Sequence, residues 1–176
     1  MEPEDNRAIL LIGDSIVRHQ DKEFVDKKPK HRRRICMPGA TLNHIHNRCV
    51  DEIEETGKDT IHIISGGSND IKNIKPSIML NKLRDIISMY SEKGRTLCVT
   101  EILPRYSDSD DWQDETYVIN QKIKNMCQEN NVKFIETYFK FYKNSSYYKE
   151  DGIHLNQKGS KELGLILNEA VESLGN

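Results

Sequence analysis

The sequence predicts an α/β fold, a doubly wound parallel sheet of five strands with helices covering both faces. Three observations carry that expectation. Short β-rich runs alternate with helix-period apolar stripes along the chain, the pattern of right-handed strand–helix–strand crossovers. The first run, Ala8-Ile9-Leu10-Leu11-Ile12, is continuously apolar and closed by Gly13, as expected of a strand buried on both faces. The length of 176 residues suits one domain of flavodoxin size, long enough to bury a core.

After that first strand, Ile35-Cys36-Met37 is a weaker one, stopped by Pro38-Gly39. A helix across 41–56 follows, carrying Leu42, Ile45, Cys49 and Ile53. Ile61-His62-Ile63-Ile64 forms the third strand, ended by Gly66-Gly67. Pro76-Ser77 starts a helix whose stripe is Met79, Leu83, Ile86, Ile87 and Tyr90. Leu97–Thr100 and Val132–Ile135 complete the strands, separated by a helix bearing Ile119, Ile123, Met126 and Cys127. The clearest stripe closes the chain, with Leu163, Ile166, Leu167, Ala170, Val171 and Leu174. Residues 1–176 are read as a single domain, with 1–6 a flexible or appended N-terminus.

Composition removes several classes. Twenty-six Lys and Arg against 28 Asp and Glu give a net charge of −2, with no global pull toward nucleic acid or anionic membrane. No apolar run approaches the roughly 20 residues of a membrane span, and the acidic N-terminus lacks the basic-then-apolar pattern of a signal peptide. Cys36, Cys49, Cys98 and Cys127 form neither a CxxC pair nor a zinc-ribbon spacing, so reduced thiols and a cytoplasmic location are expected. His44 and His46 do not share a helical face, and no metal site is expected. The chain lacks GxSxG, GxxxxGK[ST] and GxGxxG, which argues against an α/β-hydrolase, a P-loop and a dinucleotide cofactor. No cofactor is implied.

In doubly wound sheets ligands bind beyond the carboxyl ends of the strands. Three such loops carry short polar or glycine-rich motifs: Gly13-Asp14-Ser15-Ile16, Pro38-Gly39-Ala40-Thr41 and Ser65-Gly66-Gly67-Ser68-Asn69-Asp70. A fourth, Asp151-Gly152-Ile153-His154-Leu155-Asn156, precedes the last helix. Each alone is also an ordinary turn or cap. Together they supply an acyl-transfer site. A serine hydroxyl needs a neighbouring base. His154 is that base for Ser15, and Asp151 can hold the other ring nitrogen in the right tautomer. The backbone N–H groups of Ser15 and Gly39 and the amide of Asn69 could converge on an oxyanion.

The order and wording of these blocks resemble the SGNH hydrolase superfamily, the GDSL esterases, over essentially the whole chain. The resemblance implies a flavodoxin-like three-layer α/β/α sandwich. It also implies Ser15 as nucleophile, His154 as base, Asp151 as its orienter, and Ser15, Gly39 and Asn69 as oxyanion donors. Ile16 stands where the family name has leucine. The phrases Leu11–Arg18, Gly66–Ile71 and Asp151–Asn156 look like the esterase domains in first open-reading-frame proteins of vertebrate LINE retrotransposons. That resemblance implies further domains in a longer protein.

The expected function is therefore a cofactor-independent serine esterase acting on small acyl or lipid-like esters. The alternative is a lipid-, membrane- or RNA-associating module with little turnover. Its motive is the basic run Lys27, Lys28, Lys30, Arg32, Arg33 and Arg34, which could meet phosphates of RNA or of a membrane surface or lie as a solvated loop. Aromatics crowd 138–148, either packing the His154 loop, walling an acyl site or forming a membrane-facing patch. The polar segment 105–114 with Trp112 reads as a lid or a mobile surface loop.

Overall fold

The strand-forming runs become β1 (Ile9–Gly13), β2 (Arg32–Cys36), β3 (Ile61–Ser65), β4 (Leu97–Thr100) and β5 (Lys133–Ile135) in the computed structural model, which describes residues 6–174. The expected N-terminal extension falls, except for Asn6, outside the described residues. The strands pair in parallel in the order β2-β1-β3-β4-β5, with β1 in register against both neighbours from Ile9 to Gly13. Six α-helices accompany them: α1 (Gln20–Glu23), α2 (Leu42–Glu55), α3 (Pro76–Glu92), α4 (Asp110–Glu129), α5 (Tyr138–Phe141) and α6 (Gln157–Glu172).

Strand side chains alternate between faces, and the alternation separates two cores. Leu10, Ile12, Ile64 and Val99 point toward the stripes of α2, α3 and α4. Ile9, Leu11, Ile63 and Cys98 point the other way, onto Phe141 of α5 and Leu163 and Leu167 of α6. The result is the expected three-layer α/β/α sandwich. His62 is wholly buried, bonded to the Tyr90 hydroxyl at 2.5 Å and to Thr56 at 2.9 Å. Burial pushes its pKa down to about 4, so it is a neutral core group.

Three features differ from the sequence reading. β2 begins at Arg32, so three arginines of the basic run belong to a strand instead of a solvated loop. Being at the sheet edge, β2 tolerates them because neighbouring helices supply partners. Arg32 is 4% exposed, donates to Phe24 O and the Asn168 side chain, and lies 4.2 Å over the Phe24 ring. Arg33 pairs with Glu52 at 3.3 Å, and Arg34 clasps Asp21 at 2.8 and 3.1 Å. Second, Trp112 lies in the first turn of α4, buried, instead of in a lid. Ser109 caps that turn by accepting from Trp112 N–H. Third, α1 and α5 are one-turn helices too short for periodicity to reveal.

The aromatics before Asp151 act as packing for the loop that follows. Tyr148 and Phe141 are buried, and Tyr148 donates its hydroxyl to Pro104 O. A short antiparallel bridge then joins Tyr148 to Leu155, with Lys149 N–H bonded to His154 O at 2.8 Å. Phe139 remains exposed.

Candidate active site

β1 ends at Gly13, where the chain passes close to β3. A Cβ here would lie 2.6 Å from Ser65 O and 2.9 Å from Val17, so only glycine allows the turn. Asp14 then starts a single 3-10 turn over Ser15–Val17. Its Oδ1 accepts the Ile16 N–H at 3.0 Å, and its own N–H bonds Ser65 O. Ser15 is thereby set at the end of a central strand, half-buried on the rim. Its hydroxyl makes no hydrogen bond among the described residues, which leaves it free for a base or a substrate.

The neighbouring loops are stitched to this turn. Ser68 Oγ donates to Asp14 Oδ2 at 3.3 Å. Asn69 Nδ2 donates to Ala40 O at 2.9 Å, and Arg105 Nη2 donates to Asn69 Oδ1 at 3.2 Å. Arg105 thus fixes which end of the amide presents its N–H groups. Asp70 Oδ2 accepts the Leu42 N–H at 2.9 Å, joining the same loop to the start of α2. Gly39, between Pro38 and Ala40, has φ +76°, a conformation that favours glycine, and a Cβ there would meet nothing within 4 Å. Among the described residues, neither Ser15 N–H nor Gly39 N–H has a backbone acceptor.

On the far side of the rim, His154 Nδ1 lies 2.5 Å from Asp151 Oδ2. Asp151 Oδ1 takes the backbone N–H groups of Ile153 and His154, each at 2.9 Å. The His154 ring, followed by those N–H groups, holds the Asp151 carboxyl well below the usual carboxylate range. An ionised carboxylate at Nδ1 places the proton there and leaves Nε2 as acceptor. Ser15 and His154 line one small pocket, together with Arg18, His19 and Leu155. They share it without a direct hydrogen bond, as catalytic pairs often do before substrate binds.

A second, less polar cleft opens on the other side of Ser15. It is lined by Ile16, Ser68, Ile102, Leu103, Arg105 and Ile153. Glu101 also lines it, buried and accepting the Thr137 and Tyr138 N–H groups at 2.9 and 2.6 Å. Among the described residues no set of three His, Cys, Asp or Glu side chains is placed to hold a metal ion. No helix among them is long and apolar enough to cross a membrane.

Sequence reasoning missed Asp14, Asp70 and Arg105 as parts of this frame. The two aspartates sit inside motifs quoted for other residues. Arg105 carries no signal beyond its place after β4. Asp14 is 1% exposed, and burial raises its pKa from 3.8 to about 6, against the lowering pull of Ile16 N–H, Ser68 and Arg105. The folded state therefore holds the Asp14 proton more tightly than the unfolded chain. Its contribution is fully present below pH 3.8 and is lost as pH rises through about 6. Asp14→Asn keeps the acceptor for Ile16 N–H and removes this term. Thermal melts from pH 4 to 7 should fall more steeply for wild type than for Asp14→Asn, a difference of up to about 3 kcal/mol. The difference is the observable because His62 contributes the opposite slope in the same window. Parallel melting curves would refute a buried, proton-holding Asp14.

Comparisons with known proteins agree with this architecture. The profile of the GDSL-like Lipase/Acylhydrolase family matches residues 9–167. No curated protein sequence matches. Among solved structures, a member of the lipolytic protein G-D-S-L family from Veillonella parvula superposes with a TM-score of 0.80 at 18% identity, covering 96% of this chain and 100% of its own. The psychrotrophic esterase EstA from Pseudoalteromonas sp., in a structure inhibited by monoethylphosphonate, gives 0.77 at 16% identity, with 96% and 97% covered. The esterase domain of the ZfL2-1 ORF1 protein from a zebrafish retrotransposon gives 0.53 at 21% identity, with 94% and 99% covered. At these identities the structural likenesses establish the fold.

Proposed function

The chain belongs to the GDSL-like lipase/acylhydrolase family, and from that premise we propose that it is a serine esterase for short acyl esters, working through an acyl-enzyme at Ser15. One observation carries the reading: the His154 ring, oriented by Asp151 at 2.5 Å, faces the pocket that Ser15 lines. His154 Nε2 takes the Ser15 proton as Oγ attacks the carbonyl carbon. The carbonyl oxygen, now an oxyanion, meets the N–H groups of Ser15, Gly39 and Asn69. His154 returns the proton to the departing alcohol, leaving the acyl group on Ser15. Water, deprotonated by His154, then releases the carboxylic acid and restores the serine. The hydroxyl, ring and donors suffice for each step, so no cofactor is invoked.

A short acyl group suits the cleft beside Ser15, because the buried Glu101 carboxylate among its lining groups disfavours a long apolar chain. We also propose that the domain is part of a retrotransposon-encoded protein. The motif phrases and the likeness to the zebrafish esterase domain support this. Of the basic run proposed for membrane or RNA contact, Arg32 is buried and Arg33 and Arg34 are paired, so Lys27 and Lys30 would lead that contact.

A fluorophosphonate probe should form one adduct, at Ser15, and a panel of p-nitrophenyl esters should be cleaved fastest with two-carbon acyl groups. No adduct, or an adduct on another residue, would remove the esterase reading. Preference for long chains would remove the short-acyl assignment alone.

A further inference from the structure

The pocket shared by Ser15 and His154 does not end at the ring. It continues into an open groove of about 410 Å³, between α1 and the start of α6, lined by Arg18, His19, Lys22, Glu23 and Lys149 among others. Arg18, His19, Lys149, Leu155 and Ser160 line both spaces, so the groove is continuous with the site. Among the described residues, no carboxylate is within ion-pair distance of Arg18, Lys22 or Lys149. Of the two acids present, Asp21 is committed to Arg34 at 2.8 Å, which leaves only Glu23 against three cations.

The walls are fixed. Gln20 Nε2 donates to Ser160 O at 2.9 Å, tying α1 to α6. Backbone N–H of Lys149 is held by His154 O at 2.8 Å. Asn156 caps α6 through Gly159 N–H, and the positive end of that helix faces the same space.

Which half of an ester enters follows from the proton. His154 must deliver it to the departing alkoxide, so the alcohol lies on the His154 side and the acyl group on the opposite side. The cationic groove is the His154 side. We propose that it binds the alcohol portion of the substrate through a phosphate group, so that the preferred substrates are short-acyl esters of phosphorylated alcohols. This rests on the esterase reading above. Three cations that line one groove suit a doubly charged phosphate, with Arg18 able to offer two parallel N–H donors.

The test compares two esters with the same acyl group, acetylglycerol 3-phosphate and acetylglycerol. Wild type should show at least about a tenfold higher kcat/KM for the phosphorylated ester. That ratio should collapse toward one in Lys22→Ala/Lys149→Ala and survive in Lys22→Arg/Lys149→Arg. Reading a ratio within each variant cancels any general loss of activity. Glycerol 3-phosphate should inhibit wild type competitively, less so as salt rises. Co-sedimentation with phosphatidylcholine vesicles, with and without phosphatidic acid, separates a lipid phosphate from a soluble one.

A ratio near one in wild type, or a preference unchanged in the double alanine variant, would overturn the groove while Ser15-dependent acetylglycerol hydrolysis left the esterase standing. If neither ester is cleaved and Ser15 is not labelled, the esterase reading fails. Calorimetry with glycerol 3-phosphate then still decides the groove: binding lost in the double alanine variant supports it, and no binding to wild type overturns it.

Discussion

Ser15→Ala is expected to lower ester hydrolysis by about 10⁴–10⁶-fold while leaving the fold intact. The size of the loss follows from the chemistry. Without Oγ there is no covalent intermediate, and water must attack the intact ester directly in place of the serine. The residual rate would come from the oxyanion donors and binding, which alone retain about 10³–10⁴-fold over water in serine hydrolases. The unchanged fold follows from the geometry. Among the described residues the Ser15 hydroxyl bonds to nothing, whereas the turn that holds it depends on Asp14 and Gly13. The variant should therefore melt within about 0.5 kcal/mol of wild type, as a surface substitution does. Turnover of p-nitrophenyl acetate and a melting curve test both halves. Activity within tenfold of wild type would place the nucleophile elsewhere.

That separation between reactive groups and their frame also decides what the sequence could reveal. The β1, β3 and α6 patterns are long and apolar, so periodicity alone located them. The apolar signal for β2 starts three residues late because its first three residues are arginines, and a charged run reads as solvent-facing. Arg32 violates that reading through contacts no local rule predicts: Phe24 O, the Phe24 ring and Asn168, the last 136 residues away. Trp112 was read as part of a loop for a similar reason. Its neighbours Asp110, Asp111 and Asp114 look like loop polarity, yet acidic residues favour the first turn of a helix.

The candidate site shows the same division. Ser15, Gly39, Asn69, Asp151 and His154 stand out in the sequence because the proposed chemistry calls for particular residue types in turns after strands. The structure brings the serine and histidine to one pocket and ties the Asn69 loop to the loop bearing Gly39. The frame was not legible. Arg105 touches Asn69 from a segment 36 residues later, and Asp14 acts by being buried, which depends on the sheet around it. The groove residues Arg18, Lys22 and Lys149 look like ordinary surface charges in the sequence, because only the packing of α1 against α6 puts them next to the pocket of Ser15 and His154.

The other large effect is expected at His154 and Asp151, and their different roles predict different losses. His154→Ala removes the base and the acid together and should cost as much as Ser15→Ala. The double variant should lose little more, because the groups act as one unit. Asp151 never touches substrate, so its substitution acts through the ring. In Asp151→Asn, Oδ1 can still accept the Ile153 and His154 N–H groups, which keeps the turn. The amide nitrogen then occupies the place of Oδ2, 2.5 Å from Nδ1, and presents a hydrogen where an acceptor stood. The ring must place its proton on Nε2 to accommodate it, and Nε2 can no longer take a proton from Ser15. A loss of about 10³–10⁴-fold in kcat with KM nearly constant is expected, since the substrate's own contacts survive. Slow labelling of Ser15 by fluorophosphonate should track that loss. Wild-type turnover in Asp151→Asn would mean that the 2.5 Å contact stabilises a turn and has no part in orienting the base.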